Sequence, residues 1–345
     1  MAESSSSSSL LPPALRWAGP LLAAGYGLGS RLHRAFSSPK PSPLPTICIG
    51  NITVGGTGKT PATKYFARGL AQRGRKPAVL QRGYKDQAND EAVEIRTALQ
   101  DLRVPVLIEA DRLASAQRAK ADGRDVALLD DGFQHWRLAR DLDIVLIDAT
   151  NPFGGGHLAP WGRLREKPEA LARAGIVILT RADQVSPDRL AEIEKEIAAY
   201  APQAVKAKAV HKPVALRNCV HGDAIALEKL KGLPVYALCG IGNPDAFLRT
   251  LESLGVVPAG NACYSDHAAL DAWQMDFLDI PCAEASGAKA IVLTEKDAAK
   301  LATQLAGVTF PVWALEVQFR IIDGEQAVWQ KIEEVLPAGS SRLST

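Results

Sequence analysis

The segment that most constrains the fold is a glycine-rich stretch at 50–60, with the sequence GNITVGGTGKT. A short apolar run at 46–50 leads into it and predicts a buried strand, and the run at 59–73 that follows predicts a helix. Glycines in such a strand–loop–helix unit let backbone N–H groups turn toward a bound anion, and the N-terminus of the helix adds partial positive charge. The stretch therefore predicts a phosphate-binding loop at one edge of an α/β sheet.

The residue types of this loop suit a nucleotide. Lys59 can reach the β- and γ-phosphates, and the Thr60 hydroxyl can bind Mg²⁺. The strict pattern places glycine five positions before Gly58, where this chain has Thr53, so an ordinary glycine-rich turn is the alternative. The residues predicted to bind the nucleotide are Thr53, Val54, Gly55, Gly56, Thr57, Gly58, Lys59 and Thr60.

Apolar and amphipathic runs alternate along most of the chain. Strands are predicted at 46–50, 78–81, 104–108, 126–129, 144–147 and 176–179, and helices at 59–73, 90–102, 111–122 and 187–199. After a mixed region at 184–232, strands follow at 235–239, 291–294 and 312–317, and helices at 244–254 and 296–304. Near-continuous apolar strands alternating with helices indicate a doubly wound, mostly parallel sheet covered on both faces.

The length of 345 residues suggests about two domains. We expect a phosphate-loop domain at 46–232 and a smaller α/β domain at 233–345 that contributes to the active-site cleft. Net charge is +2, from 40 basic and 38 acidic residues, which gives no reason to expect nucleic-acid binding. The five cysteines are odd in number, scattered and never spaced as CxxC, which argues against a disulfide scaffold or zinc ribbon and fits a reducing compartment.

Two strand ends carry candidate site residues. Asp130 and Asp131 follow the apolar run 127–129, and ligands of doubly wound sheets bind at the carboxyl ends of strands. An aspartate there can hold Mg²⁺, although Asp-Asp-Gly is also ordinary turn chemistry. The second strand end, 180–183, reads TRAD and resembles the base-reading TKAD element of GTP-binding proteins, so a GTPase is an alternative function.

The N-terminal region, 1–45, differs from the rest. A serine-rich start at 2–9 is expected to be disordered, and a linker at 37–45 with four prolines is expected to be stiff and extended. Between them, 17–30 is a run of 14 uncharged residues, too short to span a bilayer. A secretory signal, a buried core helix and a segment lying in a membrane interface are the three interpretations, and Pro20 is expected to bend or break any helix here.

A series of motifs in order resembles the tetraacyldisaccharide 4′-kinase family, the lipid A 4′-kinases also called LpxK. They are GNITVGGTGKTP (50–61), RGY (82–84), DE (90–91), DDGFQHWRLARD (130–141), LAPWGRLRE (158–166), TRAD (180–183), GIGNP (240–244), SDH (265–267) and TEKDA (294–298). The family also has threonine or a similar residue at the position of Thr53. The chain departs from the family pattern at Gln81, Lys85, Asn89, Trp161 and Ala268, and the stretch between Tyr84 and Asp90 is short.

The resemblance implies two α/β domains and transfer of the γ-phosphate of ATP to the 4′-hydroxyl of a tetraacylated glucosamine disaccharide 1-phosphate, which gives lipid IVA. It also implies work at the cytoplasmic face of the inner membrane of a Gram-negative bacterium. By resemblance, Asp90 is the catalytic base and works with His267. From the residues alone, an acidic first helical turn is the favoured interpretation of Asp90 and Glu91, and a plain loop histidine is that of His267.

We expect Lys59 and Arg165 to screen charge on the transferring phosphoryl group. The alternative for Arg165 is a surface arginine paired with Glu166. We expect Mg²⁺ to be held by Thr60 and by Asp130 or Asp131, with Glu91 nearby.

Gln134 and His135 could orient other groups or the substrate head group, or be structural. Lys296 and Asp297 suit helix capping as well as chemistry.

The implied substrate ranks the interpretations of the N-terminal run. A phosphate loop needs cytosolic ATP, which disfavours a secretory signal, and four acyl chains must be met at a bilayer. We therefore expect 10–36 to form a monotopic membrane anchor, with Arg16, Arg31 and Arg34 near anionic head groups, in a protein that is a monomer. The alternatives to the kinase are a GTPase switch or metallochaperone, and a membrane-attached nucleotide-binding protein without transferase activity.

Overall fold

The structure, a computed structural model, describes residues 10–83, 90–264, 275, 279–301, 305 and 308–337. The strands are β1 (Thr46–Asn51), β2 (Pro77–Arg82), β3 (Val106–Glu109), β4 (Val126–Asp130), β5 (Leu142–Asp148), β6 (Ile176–Thr180), β7 (Val205–Asn218), β8 (Ala224–Ile225), β9 (Pro234–Cys239), β10 (Val257–Cys263), β11 (Ala290–Thr294) and β12 (Val312–Asp323). The helices are α1 (Gly19–Ala35), α2 (Lys59–Gln72), α3 (Asp90–Ala98), α4 (Arg112–Ala121), α5 (Pro187–Tyr200), α6 (Pro244–Ser253), α7 (Ile280–Ala285), α8 (Glu295–Leu301) and α9 (Glu325–Val335). Short 3₁₀ helices cover Pro13–Ala18, Gln100–Leu102, Pro168–Arg173, Ala182–Gln184 and Leu227–Leu230.

The chain divides into two compact units, one of Met1–Val210 with Ile321–Thr345 and one of His211–Arg320. Both crossings fall inside strands, β7 and β12, so the division differs from the boundary expected at 232/233. Two features place these segments in the first unit. The first residues of β7 pair with β6, and α9 returns to pack Trp329 on Phe66 of α2.

The first unit is built on a parallel sheet with the strand order β3–β2–β4–β1–β5–β6–β7. The chain winds outward from β1 through β2 and β3, returns to β4 beside β1, and then continues on the other side with β5. Strand β1 therefore lies at the point where the winding reverses, which is where doubly wound sheets bind ligands. The loop that follows β1 is the predicted phosphate loop.

Helices cover both faces of this sheet. All residues of β1 are buried, as near-continuous apolar strands require. On one face Cys48 and Leu129 join a core with Ala116 of α4 and Ile193 of α5. Helix α2 packs against β1, β2 and β4 and buries Phe66 and other apolar side chains.

The second unit is a smaller α/β sheet with the order β10–β9–β11–β12, in which the neighbours are parallel. Tyr236, Leu238 and Ile291 pack on one face of it, and Val235 and Val292 on the other. Strand β8 adds an antiparallel pair with the end of β7. The α/β fold with a smaller second α/β unit is confirmed. The long β7 and the helix α9 were not predicted, and the end of the helix expected at 296–304 lies outside the described residues.

The N-terminal segment forms a short 3₁₀ helix and then α1. The expectation that Pro20 bends or breaks a helix is wrong, because Pro20 lies in the first turn of α1, where its missing N–H has no intrahelical partner to lose. Gly19 and Gly27 lie on the face that approaches 158–161. A Cβ on Gly19 would be 2.7 Å from Trp161 Cδ1, and one on Gly27 would be 2.8 Å from Leu158 Cδ1.

The rest of α1 presents large apolar side chains outward. Their exposed fractions include 77% for Trp17, which lies just before α1, 74% for Leu21, 60% for Leu28 and 85% for Phe36 just after it. Across the described residues, no helix has both the length and the apolar character needed to cross a bilayer. The serine-rich start at 1–9 lies outside these residues.

Candidate active site

The phosphate loop connects β1 to α2 through backbone conformations that favour glycine. Gly58 precedes the first residue of α2 with φ of 88°, and Gly55 has φ of 117°. L side chains rarely adopt such angles, which explains glycine at both positions. At the start of the loop a Cβ on Gly50 would lie 2.6 Å from Phe133 Cβ, so the segment after β4 packs directly on the end of β1.

Two buried side chains hold Thr57 in the middle of the loop. Asn51 Nδ2 donates a hydrogen bond to Thr57 Oγ1 at 2.9 Å, and Thr180 Oγ1 donates to the Thr57 carbonyl at 3.0 Å. Thr180 opens the TRAD segment, whose next residue, Arg181, forms an ion pair with Asp148 at the end of β5. The segment that suggested a base-reading element therefore braces the phosphate loop.

A second segment pairs with the loop along its outer edge. Val54 N donates to the Arg163 carbonyl at 2.6 Å, and Arg165 N donates to the Ile52 carbonyl at 2.7 Å. Between them, Thr53 forms an antiparallel bridge with Leu164. Thr53 therefore lies in a short ladder, where a β-branched residue fits, and the ladder places Arg165 beside the loop.

Asp131 lies close to two cationic side chains at the start of α2. Arg165 Nη1 lies 2.9 and 3.0 Å from its two carboxylate oxygens, and Lys59 Nζ lies 3.8 Å from Oδ1. Burial alone would raise the pKa of Asp131, but Lys59 and Arg165 outweigh it and lower the pKa below its ordinary value. The pairing of Arg165 with Glu166 is wrong, because Glu166 instead accepts from Arg173 Nη2 at 3.0 Å.

Asp130 has a different environment from its neighbour. It is buried, and its two oxygens accept hydrogen bonds from Thr63 Oγ1 at 2.9 Å and Gln81 Nε2 at 2.8 Å. Burial raises the pKa of Asp130 to about 6, and the negative charges of Glu91 and Asp131 add to the rise. Glu91 thus lies close enough to the acidic pair to act on the charge of Asp130.

Gln134 and His135 follow the acidic pair and have separate surroundings. Gln134 Nε2 donates to the Asn51 carbonyl at 2.9 Å and to Glu166 Oε1 at 3.0 Å, so it ties three segments of the site together. Burial, with the nearby charges of Arg112 and Arg140, lowers the pKa of His135 to about 4. His135 is therefore neutral near pH 7 and can donate or accept a hydrogen bond without carrying charge.

A groove of about 600 Å³ opens in the first unit beside the end of α1. Its lining residues are His33, Phe36, Ser37, Ser38, Lys40, Ala110, Asp111, Leu113, His135 and Arg137. Arg112, in the same 110–113 segment, donates to the backbone carbonyl of Asp130 at 3.1 Å. The groove therefore shares a wall segment with the acidic pair.

The structure describes only part of the expected catalytic pair of Asp90 and His267. Asp90 is the first residue of α3, but its side chain and the whole of His267 lie outside what the structure describes. In the second unit, buried Asp297 accepts hydrogen bonds from Gly240 N at 2.9 Å and from Thr294 Oγ1 at 2.6 Å. Asp297 N in turn donates to Thr294 Oγ1 at 3.3 Å, which supports the capping interpretation of the TEKDA segment.

Several residues of the site were not predicted as such. They are Asn51, Thr63, Gln81, Arg173 and Thr180. Thr180 is the first residue of the TRAD motif and Asn51 lies in the glycine-rich stretch, so membership of a short motif at a strand end is a usable signal for both. The others are identified only by what they touch after the chain has folded.

Comparison with known proteins agrees with this geometry. The family model described as LpxK, tetraacyldisaccharide-1-P 4′-kinase, matches residues 15–337. The tetraacyldisaccharide 4′-kinase of Anaeromyxobacter dehalogenans strain 2CP-C is 40% identical over 312 residues, which cover 85% of this chain and 82% of that protein. The one from Anaeromyxobacter sp. strain Fw109-5 is 37% identical over 348 residues, which cover 96% of this chain and 93% of that protein.

A solved structure shares the fold. LpxK from Aquifex aeolicus, crystallised in complex with ATP, has a TM-score of 0.68 and 24% sequence identity, and the match covers 94% of this chain and 100% of that one. These similarities confirm the family that the motifs suggested and do not favour the GTPase alternative. The chain belongs to the LpxK family of tetraacyldisaccharide 4′-kinases, phosphotransferases with an alcohol group as acceptor.

Proposed function

We propose that this protein transfers the γ-phosphate of ATP to the 4′-hydroxyl of a tetraacylated glucosamine disaccharide 1-phosphate and so produces lipid IVA. One observation carries the proposal beyond family membership. Lys59 and Arg165 come from different segments and converge on Asp131 at the N-terminus of α2. A phosphoryl-transfer site needs this arrangement, because most of its catalysis is positioning and charge stabilisation.

Lys59 and Arg165 act on the charge of the transferring phosphoryl group. Their side chains are one-quarter exposed or less, so their field is only partly screened by water. Thr57, fixed by Asn51 and Thr180, holds the loop in a shape that suits bound phosphates. The backbone N–H groups of 53–58 and the dipole of α2 add to the attraction.

The oxygen donors near the loop fit Mg²⁺. Thr60 in the first turn of α2 and one aspartate of the 130–131 pair would hold it, with Glu91 nearby, and when bound it supplies charge neutralisation at the phosphates. The lowered pKa of Asp131 keeps that carboxylate ionised, which is the state that can bind a metal ion. Within the described ranges no group of three or more His, Cys, Asp or Glu side chains could hold a metal alone.

Asp90 is proposed as the base that accepts the proton of the sugar hydroxyl, with His267 as its partner. What supports this is the match of the DE and SDH motifs to the family and the position of Asp90 at the start of α3, the helix that also carries Glu91. Asp90→Asn tests it under saturating substrates. The proposal predicts a large loss of kcat, and a kcat within a few-fold of wild type would exclude Asp90 as the base.

The exposed apolar side chains around α1 support a monotopic anchor at a membrane surface. Buried Gly19 and Ala23 pack α1 on the protein, while Trp17, Leu21 and Leu28 project outward, as an interfacial helix requires. The groove at the end of α1 is lined by His33, Lys40 and Arg137 and by one acid, Asp111, and its excess of basic side chains favours an anionic head group. We propose that the protein works as a monomer at the cytoplasmic face of the inner membrane.

Sedimentation with anionic lipid vesicles tests the anchor. Replacing Leu21 and Leu28 by serine is expected to reduce binding strongly. Replacing Val93, an exposed apolar residue of α3, by serine is the matched control and should not change it. Unchanged vesicle binding after deletion of 1–36 would exclude the anchor.

Nucleotide preference separates the kinase from the GTPase alternative. The kinase proposal predicts that ATP supports transfer to the lipid acceptor. Tight GTP binding with no transfer to any glycolipid would instead support a switch protein.

A further inference from the structure

Two cysteines of the second unit lie side by side at the ends of adjacent strands. Cys239 is the last residue of β9 and Cys263 the last of β10, and the two are partners in the parallel register. Their sulfur atoms are 3.8 Å apart. Cys239 is buried, whereas Cys263 is exposed.

Cys239 and Cys263 can be joined with little movement. Adjacent strands lie about 4.8 Å apart, which falls within the range of about 4.4–6.8 Å between the Cα atoms of disulfide-bonded cysteines. Register partners also point to the same face of a sheet. Strand β10 is an edge strand of the second unit and Cys263 ends it, so the small approach needed disturbs few neighbours. We propose that Cys239 and Cys263 are a redox modification site and form a reversible intramolecular disulfide when they meet a low-molecular-weight disulfide.

The reaction is two successive thiol–disulfide exchanges. The exposed Cys263 thiolate attacks one sulfur of the small disulfide, forms a mixed disulfide and releases one small thiolate, which takes up a proton. Cys239 then loses its proton, and its thiolate attacks Cys263 Sγ and releases the second small thiolate, which is protonated in turn. Two protein thiols are oxidised, and one small disulfide is reduced to two thiols.

The surroundings of the two sulfurs set this order. Burial, together with the neighbouring Cys263, raises the pKa of the Cys239 thiol, so Cys239 is a poor first nucleophile. Cys263 has access to solvent, and Cys239 waits beside it as the resolving thiol. A buried resolving thiol next to an exposed one is the arrangement that redox-sensitive pairs use.

The bond would tie together the starting points of two family motifs. β9 leads directly into GIGNP (240–244), and β10 leads into SDH (265–267), which contains His267. Constraining both starts is expected to lower kinase activity in the oxidised protein. This consequence rests on the proposed role of His267, whereas formation of the bond does not.

The test is mass spectrometry of the full-length protein after treatment with oxidised glutathione. The expected result is a mass decrease of two hydrogen atoms, reversed by dithiothreitol, and one peptide pair linked through Cys239 and Cys263. Trypsin combined with chymotrypsin is needed, because Cys263 and Cys282 share a tryptic peptide. A stable glutathione adduct on Cys263 in place of the link, or no change of mass, would overturn the proposal.

Two serine variants make the test specific. Cys263→Ser should abolish the link, while Cys282→Ser, at another exposed cysteine of the second unit, should leave it intact. Kinase activity is measured on the same samples before and after dithiothreitol. An oxidised protein that contains the link and keeps full activity would refute the regulatory consequence. An inactive reduced protein would instead refute the proposed function and leave the disulfide standing.

Discussion

Replacing Thr180 by valine removes one hydroxyl from beneath the phosphate loop and keeps the shape of the side chain. In the structure this hydroxyl lies 3.0 Å from the Thr57 carbonyl and 3.4 Å from that of Ile147, and Thr180 is fully buried, so water cannot replace it. A buried polar group left without its partner costs about 1–3 kcal/mol. We expect the free energy of unfolding to fall by that amount.

The same change should loosen the loop that binds ATP. If about 1.4 kcal/mol of the cost is felt at the loop, the dissociation constant for ATP rises about tenfold. KM for ATP should rise in parallel, while KM for the lipid acceptor stays unchanged. A purely structural role would lower stability without this selective effect on ATP.

Calorimetric titration with ATP and urea unfolding measure the two quantities. Thr180→Ser is the matched control, because it keeps the hydroxyl and removes only the methyl group. It should bind ATP almost as well as wild type. Wild-type ATP affinity in Thr180→Val would refute the argument that this residue positions the loop.

Three further substitutions test separate parts of the site. Arg165→Ala should lower kcat about 10²–10³-fold, because a charge-stabilising donor is lost. It should hardly change stability, since the side chains of Arg165 and Asp131 are 25% and 35% exposed. A near-wild-type kcat in steady-state kinetics would contradict the charge-stabilising role of Arg165. Asp130 has a folded-state pKa of about 6 against an ordinary 3.8, so the native state binds its proton more tightly and loses stability as pH rises from about 4 to 6. The loss amounts to at most about 3 kcal/mol in metal-free buffer, and it should be absent from Asp130→Asn. Identical pH profiles of urea unfolding for wild type and Asp130→Asn would show that Asp130 does not titrate in this way. Gly50→Ala places a Cβ 2.6 Å from Phe133 Cβ and should cost about 1–3 kcal/mol of stability, which a wild-type urea midpoint would disprove.

Local patterns predicted the parts of this protein that depend on local chemistry. The glycine-rich stretch, the order of strands and helices through 180, and the acidic strand end at 130–131 are all readable from runs of a few residues. The phosphate loop has the strand and helix that it requires. The α/β class follows from the alternation of buried strands with helices.

The structural features that local sequence patterns did not predict depend on packing between residues that are far apart in the chain. Nothing local says that β7 continues from the first unit into the second, or that α9 returns so that Trp329 packs on α2. The prediction for Pro20 was wrong because it treated the proline as a helix breaker, whereas a proline in the first helical turn loses no intrahelical hydrogen bond. The need for glycine at positions 19 and 27 becomes apparent only in the folded chain, where 158–161 lies against both residues.

The sequence also did not predict which charged side chains form ion pairs with each other. Glu166 is the chain neighbour of Arg165, yet Arg165 pairs with Asp131 and Glu166 with Arg173. The ladder of 163–165 on the phosphate loop sets this choice. The contrast between the adjacent aspartates 130 and 131 arises in the same way, because one is enclosed by neutral donors and the other faces two cations.

Transfer of labelled phosphate from γ-labelled ATP to purified tetraacyldisaccharide 1-phosphate would demonstrate the proposed kinase reaction itself. The purified protein is mixed with the lipid in detergent, and the position of the new phosphate is determined on the product. We expect label on the 4′-oxygen with wild type and no label with a folded Lys59→Ala variant. Absence of any labelled glycolipid with wild type, or full transfer by Lys59→Ala, would contradict it.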